Sequence, residues 1–251
     1  MDPAHLALVG AAAAAGGAVN AIAGGGSLIT FPALLACGVP AVVASATNTV
    51  AMCPGYLGAT WAQRAQLAGQ RKRSLRIVPA AALGGALGAL LLLHTNAKIF
   101  DVVVPFLLLF AVLLLGFQDQ LRARLYTIAN NEALAAPIAA VAAIYGGYFG
   151  AGLGVIVLAA LAIVIGDSLV RLNALKQLIS LAVNVTAAIV FLLIADLDAV
   201  TVLVMACASL VGGVAGGAIA SRVSAKLLRS LVLTIGGVVS AIYFVKLFRG
   251  L

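Results

Sequence analysis

Apolar residues form ten segments along the chain, separated by short polar or glycine-rich stretches. A helix needs about 20 apolar residues to cross a bilayer, and several segments reach that length. The predicted segments are 4–23, 27–36, 41–62, 75–93, 99–117, 133–149, 153–165, 169–195, 199–220 and 227–248.

The composition leads to the same class of protein. Hydrophobic residues make up 64% of the 251 residues and charged residues 9%, and the mean hydropathy is +1.21; a soluble domain has about 25% charged residues. The net charge of +8 comes from basic residues between the apolar segments. It therefore indicates orientation in a membrane and no nucleic-acid partner. We predict an all-α integral membrane protein, a polytopic helical bundle.

A glycine-broken apolar hairpin occurs twice, at Asn20–Pro32 and at Tyr145–Gly154. In a bilayer, backbone that leaves the helix must line a cavity or be covered by protein. Two interrupted helices at matching places in two halves point to a binding site of a transporter. The arms after the glycines have about half the spanning length, which favours re-entrant hairpins. Arms that cross fully are the alternative, and loop charge does not separate the two.

The loops predict how the chain is oriented. Basic loops face the cytoplasm, so helix 41–62 runs inward and helix 169–195 runs outward to the acidic loop. The prediction is two inverted repeats, 1–118 and 132–251, joined by a cytoplasmic linker, 119–131, with both termini outside. Lys246 and Arg249 fit an external terminus poorly. The loop residues used are Arg64, Arg71, Lys72, Arg73, Arg76, Arg122, Arg124, Arg222, Lys226 and Arg229 for the basic loops, and Asp196 and Asp198 for the acidic one.

Internal alignment pairs polar positions of the two halves. When Gly38 is aligned with Gly166, Ser45 lies opposite Asn173, Asn48 opposite Lys176 and Thr49 opposite Gln177. With two residues inserted, the glycine breaks align as well, Gly24 with Gly150 and Gly26 with Gly152.

Lys176 is the strongest candidate for chemistry. It lies roughly 12–14 Å along its helix, near the middle of the hydrocarbon, where a charge costs at least about 2.5–3.5 kcal/mol. A structural or snorkelling lysine is the alternative. Arg171, about one turn into the same helix, is either a substrate ligand or a cytoplasmic interface anchor.

Other polar groups and the breaks complete the candidate site. Hydroxyl and amide groups at the depth of Lys176 bind either an anion or a neighbouring helix. Asn20 either holds the broken backbone or contacts substrate. The helices after the breaks direct free N–H groups and a positive dipole end toward the midplane. The candidate substrate-binding residues are Asn20, Gly24, Gly25, Gly26, Ser45, Thr47, Asn48, Gly150, Ala151, Gly152, Arg171, Asn173, Lys176 and Gln177.

Acidic residues and cysteines exclude several functions. All seven carboxylates fall in loops or at segment ends, which disfavours a buried proton relay and hydrolysis by paired carboxylates. The three cysteines are isolated and no histidines cluster, so no metal site, cofactor or catalytic centre is predicted. No Walker motif is present. Gly84, Gly85 and Gly88, like Gly212, Gly213, Gly216 and Gly217, predict close helix packing.

The motifs resemble those of a known family. Asn20 through Gly24-Gly25-Gly26-Ser27 to Pro32, with Gly38-Val39-Pro40 and Ser45 to Asn48, is similar to the signature of the TauE/SafE sulfite exporter family. The stretch from Gly146 to Lys176 resembles that family's second repeat. The resemblance implies transport of sulfur-containing anions, such as sulfite or organosulfonates, across the cytoplasmic membrane.

Three hypotheses follow. The first is a secondary transporter of small anions, multi-pass in the inner membrane, working by alternating access around a midplane site. The second is an anion channel on the same scaffold, and the third is a non-transporting membrane scaffold. The partners expected are a small anionic substrate and the lipid bilayer, and we also consider a homodimer.

Overall fold

The computed structural model describes residues 1–125, 131–220 and 225–249, and their side chains except at 118–119, 121–125, 225–229, 231 and 249. The described residues are almost entirely helical. The helices are α1 (Pro3–Ile22), α2 (Ser27–Ala36), α3 (Ala41–Ala62), α4 (Arg71–His94), α5 (Ala97–Leu125), α6 (Ala135–Tyr148), α7 (Leu153–Val164), α8 (Leu169–Ile194), α9 (Ala199–Ile219) and α10 (Ala225–Arg249), with short 3-10 turns at Arg64–Leu67 and Glu132–Leu134.

Local signals set several helix starts. The side chains of Asp2, Ser168 and Asp198 accept hydrogen bonds from the first turns of α1, α8 and α9, which satisfies backbone donors that have no partner within the helix. The all-α polytopic fold is confirmed, and the predicted segment ends agree with the helices within a few residues. The largest difference is α5, which continues to Leu125 and so extends into the predicted linker.

Five helices are long and apolar enough to cross a membrane among the described residues: α1, α4, α5, α8 and α9. The second arms of both broken hairpins are shorter, with 10 residues in α2 and 12 in α7. Helix α3 has 22 residues but is rich in small and polar ones, and 14 of them are buried. It therefore forms the inside of the bundle and has little apolar surface to offer to lipid.

The two predicted repeats interlock. Helices α1 and α3 of the first half pack along α9 of the second, and α6 and α8 of the second half pack along α4 of the first. Helices α3 and α8 meet between these two groups, and α5 pairs with α10. The inverted orientation of the repeats stays a prediction, but neither half forms its own separate bundle.

Glycines allow this close packing, as the sequence predicted. A methyl group added at Gly213 of α9 would contact the carbonyl of Gly55 in α3, and one at Gly212 would contact the carbonyl of Ala14 in α1. The same holds between α4 and α6, where Gly88 approaches the carbonyl of Ile144. Backbone approach of this kind drives helix association in membranes, where apolar burial offers no gain.

The bundle has a basic end and an acidic end. The basic end holds Arg64, Arg71, Lys72, Arg73, Arg76 and Arg171, and the acidic end holds Asp196 and Asp198. The predicted basic residues Arg122, Arg124, Arg222, Lys226 and Arg229 lie outside the described side chains. The described charges therefore agree with the loop-charge pattern, and the side of the membrane that each end faces stays a prediction.

We expect Gly213→Ala to destabilise the protein by about 1–3 kcal/mol, because the new methyl group overpacks against α3. Gly237→Ala in α10 is the control, since a methyl group there meets nothing within 4 Å and improves helix propensity by up to about 1 kcal/mol. Thermal unfolding in detergent measures both. Equal midpoints for the two variants would contradict the packing.

Candidate functional site

The first arms of both hairpins end in the same hydrogen-bond pattern. The carbonyl of Val19 accepts from the N–H groups of Ala23 (2.8 Å) and Gly24 (3.0 Å), and the carbonyl of Tyr145 accepts from those of Phe149 (2.9 Å) and Gly150 (3.4 Å). Val19 and Tyr145 are equivalent when Gly24 is aligned with Gly150. The predicted match of the breaks therefore extends to their backbone geometry.

Left-handed backbone at the glycines makes the breaks. Gly24 and Gly25 have φ of 79° and 88°, and Gly150 and Gly152 have φ of 77° and 81°. Residues other than glycine rarely adopt this region. Gly26 and Gly152 both directly precede the second arms, but Gly26 has a helical φ of −57°. The aligned glycines thus share a position without sharing a conformation.

The two breaks touch each other inside the bundle. A methyl group added at Gly24 would lie 3.2 Å from the backbone nitrogen of Val155 and 3.3 Å from the carbonyl carbon of Gly154. The rings of Phe31 and Phe149, one from each hairpin, pack edge to face with centroids 5.1 Å apart. The chain segments 24–27 and 150–155 are buried, so protein covers the irregular backbone, as a bilayer requires.

Asn20 holds the first break together. Its side-chain oxygen accepts a hydrogen bond of 2.6 Å from the N–H of Gly26. That contact fixes the amide orientation, since only the oxygen can accept from an N–H. The nitrogen Nδ2 is then buried without a hydrogen-bond partner in the described structure. The sequence predicts that Asn20 either holds the broken backbone or contacts substrate. Its oxygen supports the backbone, and its Nδ2 remains as a donor for a ligand.

Lys176 is fully buried at the end of the broken helix α1. Its Nζ donates to the carbonyl of Asn20 at 3.1 Å, where the helix dipole is negative and favours a cation. The stem of Lys176 lies beside Gly154, where an added methyl group would come within 3.6 Å of Cδ. Lys176 therefore connects the carbonyl end of the first hairpin with the start of α7 in the second.

Three side-chain amides cover the last carbonyls of α1. Gln177 Nε2 donates to the carbonyls of Asn20 and Ala21, both at 2.9 Å. Asn173 donates to Ala21 at 3.2 Å and to Gln63 Oε1 at 2.7 Å, while Gln63 donates to Ala21 at 3.1 Å. Because carbonyls only accept, the amide oxygens of Gln177 and Asn173 face away, and both are buried without a donor.

The first half contributes a weaker counterpart. Ser45, aligned with Asn173, donates to the carbonyl of Tyr148 at 3.5 Å, so α3 reaches the broken helix of the second half as α8 reaches that of the first. Asn48, aligned with Lys176, accepts a hydrogen bond from the hydroxyl of Thr30 in α2. Thr49 lies beside Gly150. By contrast, the carbonyls of Asn20 and Ala21 at the first break accept five side-chain hydrogen bonds, and four of them come from α8.

Two predicted residues lie apart from this cluster. Arg171 is at the basic end, where its Nε lies 3.0 Å from Asp167 Oδ1 and 36% of its side chain is exposed, the environment of an interface anchor. Thr47 is buried near the acidic end, lining a cavity with Asp198 and Thr201. The remaining predicted residues lie at the two breaks or on α3 and α8 next to them.

The ion pairs at the basic end join both halves. Arg73 of α4 contacts Glu132 and Asp167, the latter at 3.0 Å. Partial burial acts to raise the pKa of the Asp167 carboxyl, but hydrogen bonds from Arg73 and Arg171 outweigh it, and the pKa is lowered. In addition, Gln70 donates to the carbonyl of Arg171 at 3.1 Å. The start of α8 is thereby fixed to the loop before α4.

Two cavities open at opposite ends of α9, which is about 30 Å long. One, of about 330 Å³, lies at the basic end and reaches Asn173 and Gln63. The other, of about 280 Å³, lies at the acidic end and reaches Thr47. The buried polar groups around Asn20 and Lys176 lie between them.

Within the described ranges no group of three or more His, Cys, Asp or Glu side chains is arranged to hold a metal ion.

Sequence reasoning missed two contributors to this cluster, Gln63 and Thr30. Thr30 follows the Gly26 break by one helical turn, which is a usable signal for a side chain returning to the break. Gln63 directly follows the apolar run of α3 and has the pattern of an ordinary loop residue, so only the packing of α1 against α3 brings it to Ala21.

Comparison with known proteins identifies the family. The family described as sulfite exporter TauE/SafE matches residues 8–244, so the chain belongs to that family. A similar protein is the probable membrane transporter protein YfcA of Escherichia coli (strain K12), 28% identical over 236 residues, which are 90% of this chain and 84% of the relative. The chain is thus a multi-pass membrane transporter.

Two further relatives are also described as probable membrane transporters. A probable membrane transporter protein of Haemophilus influenzae (strain ATCC 51907 / DSM 11121 / KW20 / Rd) is 33% identical over 187 residues, covering 70% of this chain and 69% of the relative. The probable membrane transporter protein ORF9 of a Sinorhizobium species is 26% identical over 233 residues, covering 92% and 88%. No solved structure matches the chain.

Gln177→Leu tests the capping of α1. We expect the free energy of unfolding to fall by about 1–3 kcal/mol, because two buried carbonyls lose a donor. Ser180→Ala is the matched control on the same helix, since the Ser180 hydroxyl is buried without a partner among the described residues. Thermal unfolding in detergent should show the loss for Gln177→Leu alone; a loss of equal size in Ser180→Ala would contradict it.

The lowered pKa of Asp167 predicts a pH dependence of stability. Because the folded pKa lies below the unfolded value, the stabilisation is fully present above about pH 4 and is lost as the pH falls through the folded pKa. Between pH 5 and pH 3, the unfolding midpoint of wild type should therefore fall further than that of Asp167→Asn. The difference should be roughly 2–4 °C for each kcal/mol of stabilisation lost. Asp196→Asn, exposed at the other end, should behave like wild type, and identical curves for Asp167→Asn and wild type would refute the prediction.

Proposed function

We propose that the protein is a secondary transporter of small anions, acting by alternating access across the inner membrane. The substrate class is sulfur-containing oxyanions, such as sulfite or an organosulfonate. The observation that carries the proposal is the fully buried Lys176, whose Nζ lies 3.1 Å from the carbonyl of Asn20 where the two helix breaks meet. A charge at this depth is costly and is kept where it has a function.

The donors around Lys176 suit an oxyanion. Asn20 Nδ2 is buried without a partner, and the N–H groups of Ser27 and Gly154, at the starts of α2 and α7, have no hydrogen-bond acceptor in the described structure. Such N–H groups at helix starts bind anions through their direction and the positive dipole end. An anion entering here would compete with the carbonyl of Asn20 for the Lys176 ammonium.

The cavities at the two ends of α9 support alternating access. Each reaches a polar residue of the predicted site, Asn173 from the basic end and Thr47 from the acidic end, and buried protein separates them. The bodies that rock are then the two contact groups, α1, α3 and α9 against α4, α6 and α8. Their common boundary is the packing of α3 on α8, the helices that carry Asn48 and Lys176.

The choice of sulfur oxyanions rests on the family description, sulfite exporter TauE/SafE. The relatives' names say membrane transporter and give no substrate. A site of one ammonium and several N–H donors matches a small, singly or doubly charged oxyanion by its chemistry. It contains no feature that selects sulfur over another central atom.

A flux assay in proteoliposomes tests the proposal. With labelled sulfite and a labelled sulfonate, we expect Lys176→Ala to lower the transport rate at least tenfold. Lys98→Ala is the control, because this exposed lysine at the start of α5 lies at the acidic end of the bundle. Flux at the wild-type rate in Lys176→Ala would remove Lys176 from the site, and no flux of any small oxyanion in wild type would overturn the function.

The same vesicles separate a transporter from a channel. A transporter that alternates access shows faster uptake when unlabelled substrate is present on the opposite side, since the loaded carrier returns faster. A channel on the same scaffold shows no such acceleration. Absence of trans-stimulation together with flux sensitive to Lys176→Ala would replace alternating access with the channel mechanism.

A further inference from the structure

A third cavity lies at the basic end, between the start of α4 and the segment that leads into α6. Its volume is about 240 Å³. It takes no part in the cluster around Lys176, and its walls come from both predicted repeats. The lining residues are Lys72, Arg73, Arg76, Ile77, Glu132, Ala133 and Ala136.

The lining has more positive than negative charge. Arg73 is neutralised by Glu132 and Asp167. Lys72 and Arg76 are exposed, lie four residues apart on one face of α4, and make no ion pair with any described residue. Both cations also lie near the start of α4, where the positive end of the helix dipole disfavours them. An anionic ligand between Lys72 and Arg76 would offset both their mutual repulsion and their unfavourable interaction with the helix dipole.

The apolar surface beside these cations indicates the level of the lipid headgroups. Leu75, adjacent to Arg76, is 65% exposed, and Leu134, adjacent to the lining residue Ala133, is 44% exposed. Helix α4 is one of those long and apolar enough to cross a membrane. Exposed leucines next to exposed cations at the end of such a helix place the cavity at the boundary between acyl chains and headgroups. A free phosphate ion would use only the cations, whereas a phospholipid would contact both surfaces.

We propose that this cavity binds the phosphate headgroup of an anionic phospholipid, with Lys72 and Arg76 on the phosphate and the acyl chains along Leu75 and Leu134. Basic pockets between membrane helices on the cytoplasmic side bind such headgroups. The bound lipid bridges α4 of the first repeat and α6 of the second. This site is independent of the transported substrate and of Lys176.

Native mass spectrometry of the full chain in detergent tests the site, with phosphatidylglycerol and phosphatidylcholine as probes. We expect wild type to retain phosphatidylglycerol at least fivefold better than phosphatidylcholine. The double variant Lys72→Gln/Arg76→Gln should lose this preference. Arg64→Gln/Arg71→Gln is the matched control, because it removes the same charge from the same end without touching the cavity lining. Arg76→Gln alone should weaken retention, and Arg76→Lys should restore most of it.

Each other outcome counts against the proposal. Equal loss in the two double variants would mean general attraction of anionic lipid to a basic surface and would overturn a defined site. Inorganic phosphate that displaces the lipid at equal concentration would show that the acyl contacts contribute nothing and would assign the cavity to free phosphate. Unchanged retention in Lys72→Gln/Arg76→Gln, with an unfolding midpoint like that of wild type, would exclude the cavity as the binding site.

Discussion

The structure depends on one constraint, which is that a helix broken inside a membrane leaves carbonyl groups with no water to satisfy them. At the end of α1 these are the carbonyls of Asn20 and Ala21, and side chains of Lys176, Gln177, Asn173 and Gln63 donate to them. Three of these four side chains come from α8. The same arrangement brings a buried positive charge to the point where the two breaks touch.

Each half provides the side chains that complete the other half's broken helix. Asn173 of the second half reaches Ala21 of the first, and Ser45 of the first reaches Tyr148 of the second. The exchange extends to packing, since α9 supports α1 and α4 supports α6. Gln63 adds one donor to the first break from within the first half. The halves are unequal at one aligned pair, where Asn48 hydrogen-bonds Thr30 and Lys176 carries the charge.

The long helix α8 links the candidate site to the surface. In its first third it caps α1, and at its start it is held by Ser168, by Asp167 through Arg171, and by Gln70. Arg73 joins this start to α4 and Glu132. A rearrangement of α8 during transport would therefore change contacts at the basic end, where the halves meet through charged groups that water and lipid headgroups can reach.

The sequence by itself determined the membrane class, the helix order and the positions of both breaks, and it predicts the depth of Lys176 in the membrane. These follow from runs of apolar residues, from glycines and from the cost of a charge in hydrocarbon, all of which are local properties. Only the tertiary structure decided that Gln63 and Thr30 join the cluster, that Arg171 pairs with Asp167 at the surface and that Thr47 lies beside another cavity. Those outcomes depend on which helices pack together, and glycine contacts between segments far apart in the chain fix that choice.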